Sequence, residues 1–132
     1  MAGPLAGIRV LDLTSTLMGP YATQALADMG AEVVKVEAPE GDIVRHIGPA
    51  RNAGMGPIFL NTNRGKQSLV LDLKKQEGLA AALRLAARSD VLVYNLRPHS
   101  MERLGLGYET VARVNPRIVY AGVYGFGQDG PY

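Results

Sequence analysis

The chain has 132 residues, 14 basic and 12 acidic, with 47% hydrophobic residues and no cysteine. That balance describes one globular domain and argues against disorder, which needs fewer apolar groups or more net charge. Without cysteine there is neither a disulfide framework nor a thiolate metal site, and a reducing, cytoplasmic setting is the default expectation.

No apolar run approaches the roughly 18 residues that a bilayer span requires. Met1 to Gly7 lacks a basic region followed by an apolar stretch, so it does not read as a signal peptide. The formal charge of +2 does not call for a nucleic acid, and neither a nucleic-acid nor a membrane partner is expected. The basic excess lies in the second half, residues 67–132, which would suit a small anionic ligand.

In chain order, Ile8-Arg9-Val10-Leu11-Asp12-Leu13 is short, branched and bounded by Gly7 and Thr14, and reads as a strand. Gly19-Pro20 opens a helix, where proline's missing N–H costs nothing. The spacing of Ala22, Ala25, Leu26 and Met29 predicts its buried face, and Gly30 its C-terminal cap. Ala31 to Val36 is a second strand, parallel to the first because a helix fills the gap. Ala38 to Pro57 is rich in glycine and proline and reads as a long loop, a length that is usually functional or mobile.

Ser68 to Leu73 is a third strand, followed by a helix over 76–88 with Leu79, Ala82, Leu83 and Ala86 inward. Val91 to Tyr94 is a fourth strand. Short helices cover Met101 to Leu104 and Tyr108 to Val114, the second stopped by Asn115-Pro116. Arg117 to Val123 is a fifth strand. The alternation predicts an α/β, Rossmann-like, doubly wound fold with a mostly parallel sheet of about five strands and helices on both faces. Ligands in such sheets bind beyond the carboxyl ends of the strands, near the switch in strand order.

Several residues at those ends could carry chemistry. Gly125-Phe126-Gly127-Gln128-Asp129-Gly130 is a literal G-x-G-x-x-G, but it follows the fifth strand rather than the first, so it reads as a glycine-rich turn and not a dinucleotide fingerprint. Asn63-Arg64-Gly65-Lys66 is either a solvated turn or a phosphate contact. Lys74-Lys75 begins a helix, where the dipole does not favour cations, which hints at an anionic partner. Arg97 and Arg103 offer planar donor forks suited to phosphate near a strand end. His46 and His99 have no partner at metal-ligand spacing, and no metal is expected. Asp12 and Asp72 lie within strands, where hydrogen bonding to a neighbouring loop is the commoner role.

Five blocks, in order, resemble the class III CoA-transferases of the formyl-CoA transferase and carnitine CoA-transferase type. They are Leu5 to Thr14 with Gly19-Pro20; Gly30 to Glu37; Asn63 to Ser68 with Leu71 to Lys74; Asn95 to Pro98 with Arg103 to Gly107; and Asn115 to Tyr120 with Gly125 to Tyr132. The resemblance implies transfer of CoA from an acyl-CoA to a carboxylic acid through aspartyl anhydride and aspartyl-CoA thioester intermediates. It implies CoA contacts at Leu71, Lys74, Asn95, Leu96, Arg97 and Arg103, no prosthetic group, and an interlocked homodimer for the full-length chain. Ala38, Ser15 and Leu17 depart from formyl-CoA transferase, which has Arg, His and Gln there, so its substrate does not carry over.

Family members are much longer, and their nucleophilic aspartate lies beyond the block that ends at Tyr132. The expectation is therefore an N-terminal CoA-binding portion, residues 1–132, with the C-terminal part absent, no catalytic residue of its own and no turnover alone. Two alternatives stay open. An α-methylacyl-CoA racemase resembles the same blocks, although the Asn63 to Ser68 form is nearer the transferases. A non-catalytic CoA-binding module would also fit.

Overall fold

The computed structural model describes residues 3–130. Met1, Ala2 and the final Pro131-Tyr132 of the last family block lie outside the described residues. Its elements are β1 (Arg9–Leu13), α1 (Met18–Asp28), β2 (Glu32–Glu37), α2 (Pro57–Thr62), β3 (Gln67–Val70), α3 (Gln76–Ala86), β4 (Val91–Tyr94), α4 (Pro98–Arg103), α5 (Tyr108–Val114) and β5 (Val119–Gly122). The strands form one sheet in the order β3-β2-β1-β4-β5, and every pairing is parallel.

The central strand carries a core on each side. Leu11 and Leu13 face Ala82 and Ala86 of α3, Val111 of α5 and Met101 of α4. Val10, with Val33 and Val93 beside it, packs under Leu26 and Ala27 of α1. Alternate residues of a strand point to opposite faces, so this short branched run can anchor both layers. The expected Rossmann-like α/β arrangement is the one found. No helix among the described residues is long and apolar enough to cross a membrane.

The buried face of α1 differs from the expected one. Ala22 and Met29 are exposed, while Gly19, Pro20, Thr23 and Gln24 are buried. Thr23 goes inward because its hydroxyl donates to the buried Asp12 carboxylate at 2.6 Å. Gln24 is held by the Arg64 N–H at 3.1 Å. A Cβ at Gly19 would come within 2.5 Å of Thr14 Cβ, so only glycine lets α1 approach β1 this closely. The end of α1 follows the expectation: Gly30 adopts φ +99° and donates to Ala27 O, and Ala31 N donates to Leu26 O, the paired bonds of a Schellman cap.

Residues 38–57 hold more structure than a loop. Asp42 caps a single 3₁₀ turn, Ile43–Arg45, and Pro57 occupies the first turn of α2. β3 ends at Val70, three residues earlier than the pattern suggests. It is an edge strand with all four residues exposed, and Leu71 to Lys74 turns away toward the ends of its neighbours. α3 stops at Ala86, where Asn115 Nδ2 donates to Ala86 O and Ser89 O. α4 begins earlier than expected, with Pro98 in its first turn. β5 is the opposite edge of the sheet and shorter than its sequence pattern.

Candidate active-site cleft

Strand order reverses between β1 and β4, whose connections run in opposite directions across the sheet. Side by side at their carboxyl ends lie the β1–α1 loop and the segment after β4. A cleft of about 430 Å³ opens there, over the ends of β1, β2 and β3. Thr14 and Ser15 form one wall, Glu37 to Ile43 the floor and near wall, and Leu71 to Lys74 the far wall, with Leu96 and Leu104 closing the side.

The floor is an ionic network. Glu37, buried at the end of β2, accepts from Arg45 Nε and Nη2 at 2.7 Å each, from Ser68 Oγ at 2.7 Å and from Asp42 N at 2.9 Å. Burial alone would raise its pKa. The hydrogen bonds from Arg45, Ser68 and the Asp42 N–H outweigh that and bring it down to about 2. The Glu37 bond holds the Arg45 guanidinium protonated above its usual range. Arg45 also stacks on Phe59 of α2, its guanidinium carbon 3.5 Å from the ring centroid. Beside this pair, Lys35 Nζ is 1% exposed and lies 3.0 Å from the equally buried Asp42.

A second buried pair lies beneath α1. Asp12 accepts from Thr14 N, the Thr14 and Thr23 hydroxyls and Lys66 Nζ, the last at 3.0 Å. Lys66 also donates to Pro20 O and Asn63 Oδ1. Burial lowers the Lys66 pKa, and the Asp12 charge partly restores it. The basic turn Asn63 to Lys66 is therefore not solvated throughout. Lys66 fastens β1 to the entry of β3, and Arg64 makes a surface pair with Asp28 at 2.7 Å.

Three of the six residues singled out from the sequence, Leu71, Lys74 and Leu96, line this one cleft. The Asn95 side chain instead spends both amide groups on the backbone of Ser15, at 2.9 and 2.8 Å. Arg97 and Arg103 are exposed and lie outside the lining. Arg97 precedes α4, and Arg103 donates to Ser100 Oγ at 3.4 Å. Asp72 lines the cleft and accepts from Lys74 N at 3.1 Å, a local turn within the wall.

Sequence reasoning missed Lys35 and Asp42. The one available signal was a lysine in the middle of an otherwise branched strand, where an unpaired charge would be untenable. The G-x-G-x-x-G segment is exposed, with Phe126 86% accessible, and no helix follows it among the described residues. His46 is exposed, its Nε2 3.3 Å from Glu40 O, and the described residues hold no His, Asp and Glu group suited to a metal.

Comparison with known proteins matches residues 5–132 to CoA-transferase family III. The chain belongs to this family. It is 46% identical to the succinate–glutarate CoA-transferase of Agrobacterium fabrum, over 98% of this chain and 34% of that protein. It is 48% identical to an acyl-CoA transferase of Fusarium pseudograminearum, over 98% of this chain and 30% of the relative. The crystal structure of a CaiB/BaiF family protein from Brucella suis superposes with a TM-score of 0.94 at 39% identity, covering all of this chain and 36% of that one. The chain thus spans about a third of the length of the relatives it matches.

Proposed function

We propose that residues 1–132 form the N-terminal, CoA-binding portion of an enzyme that moves CoA from an acyl-CoA to a carboxylic acid. The observation that carries this reading is the cleft at the strand ends, which gathers Lys74, Leu71 and Leu96 in a member of CoA-transferase family III. CoA pairs a highly charged nucleotide with a long, less polar arm. Lys74 in the lining, with the exposed Arg97 and Arg103 of the segment after β4, supplies cations for the phosphates. Leu71 and Leu96 supply apolar wall for the rest.

The carboxylate that attacks the thioester must present free lone pairs. Attack would displace the CoA thiolate and leave an acyl-aspartyl anhydride. The thiolate then returns to form aspartyl-CoA and release the first acid, and the acceptor acid takes the CoA through a second anhydride. Asp12, Glu37 and Asp42 are buried and fully engaged as acceptors, so none of them suits that role. Glu40 and Asp72 do line the cleft, and it is the family resemblance that sets them aside: Glu40 is not an aspartate, and Asp72 does not match the position of the nucleophile. We place the nucleophile outside these 132 residues and the complete enzyme in an interlocked homodimer. Names of relatives such as succinate–glutarate CoA-transferase favour transfer over racemisation.

Calorimetric titration of CoA into the chain tests this. Each lost charged hydrogen bond is worth about 1.5–3 kcal/mol, so Lys74→Ala, Arg97→Ala and Arg103→Ala are each expected to weaken CoA by about 10-fold or more. An unmodified chain that ignores CoA, or a set of variants that all bind as well as it does, would overturn the proposal.

A further inference from the structure

We infer that Asn95, with Asp42 and Lys35, is a positioning residue that grips two consecutive peptide units of the β1–α1 loop and so fixes one wall of the cleft. The role assigned to this wall rests on the CoA reading above; the grip itself does not.

The geometry is closed. The peptide joining Thr14 to Ser15 is held at both ends: its carbonyl accepts from Lys35 Nζ at 2.7 Å, and its N–H donates to Asn95 Oδ1 at 2.9 Å. The next peptide, joining Ser15 to Thr16, is held the same way. Its carbonyl accepts from Asn95 Nδ2 at 2.8 Å, and its N–H donates to both Asp42 oxygens at 3.1 and 3.2 Å. Lys35 and Asp42 complete the circuit with their own ion pair at 3.0 Å. Three side chains from three segments, after β4, within β2 and after β2, therefore converge on two peptide planes.

Peptide planes are rigid, so fixing both ends of two neighbours leaves the intervening dihedrals no freedom. The gripped planes fix the dihedrals of Ser15 and end at Thr16, the one non-glycine residue among those described that has a positive φ, at +74°. A β-branched residue does not adopt that conformation unless its surroundings impose it. The bond partners are 80 residues apart in sequence, so the loop's shape depends on β4 being in place. Asn95 spans the gap between the β1–α1 loop and the segment after β4, at the point where strand order reverses. Thr14 and Ser15 line the cleft directly, so their displacement changes its shape.

Asn95→Leu keeps the size and removes both bonds, whereas Asn95→Asp keeps only the acceptor for the Ser15 N–H. Residue-resolved hydrogen exchange and CoA titration on the same samples separate the possibilities. In Asn95→Leu the Ser15 and Thr16 amides are expected to exchange at least 10-fold faster, with Leu11 in β1 unchanged, and the CoA dissociation constant to rise at least 5-fold. Asn95→Asp is expected to restore protection at Ser15 but not at Thr16, whose peptide loses its carbonyl bond. Should Asn95→Leu fail to fold, that split between the two amides decides the matter alone. Unchanged loop exchange overturns the proposal, and weaker CoA with unchanged exchange makes Asn95 a direct ligand contact instead. If the unmodified chain binds no CoA, the functional reading falls, and the exchange data still decide the grip.

Discussion

Replacing Glu37 with glutamine removes the charge that organises the cleft floor and leaves the shape nearly intact. In the folded chain the carboxylate is held at a pKa of about 2, against an ordinary 4.5, because Arg45, Ser68 and the Asp42 N–H outweigh the cost of burial. At about 1.36 kcal/mol per pH unit, that gap corresponds to about 3 kcal/mol of stability. Arg45 is partly open to water, which screens the pair, so about 2 kcal/mol is the expected loss at pH 7. The sign follows from a lowered carboxylate pKa. The contribution is complete above pH 4.5 and disappears as the pH falls toward 2. Urea unfolding of both proteins between pH 2 and pH 7 measures this. The two stability curves should lie apart at neutral pH and converge in acid. A constant offset at all pH values would mean that shape or packing, and not the ionised carboxylate, sets the difference, and the electrostatic argument would fail.

Lys66→Met should be among the more damaging single changes, because it leaves Asp12 charged and buried with only hydroxyl and N–H donors. About 3 kcal/mol of stability should be lost, and a chemical denaturation midpoint that hardly moves would contradict the pairing. Thr16→Gly should act in the opposite direction. Relief of a left-handed β-branched residue, at about 1–2 kcal/mol, exceeds the added freedom of the unfolded glycine, and a gain of about 0.5–1 kcal/mol should appear in the same assay.

The inner strands β1, β2 and β4 were legible because parallel strands buried on both faces must be short branched runs, whereas the edge strands β3 and β5 proved shorter than their patterns. Val33, Val34 and Val36 leave little else to infer. The inward face of α3 was legible for the related reason that an alanine and leucine stripe has one dry side. The inward face of α1 was not, since hydrophobic spacing does not register a threonine that goes inside to satisfy an aspartate. The position of the cleft followed from the rule that ligands gather at strand ends, and Leu71, Lys74 and Leu96 lie there. The grip of Lys35, Asp42 and Asn95 depends on contacts between segments up to 80 residues apart, which local pattern does not encode. For the same reason Asn95 reads in sequence as a free amide at a strand end, while in the fold its polar atoms are already committed.

The sheet ends on both sides in an unpaired ladder. On one flank Gln67–Val70 turns its whole length to solvent, with Val70 57% accessible, and on the other Val119 is 59% accessible. Bare amides and carbonyls spaced for a further strand are a template that accepts any extended segment of matching pitch. Among the described residues, these two margins are therefore where a further extended segment, from the same protein or another, would continue the sheet.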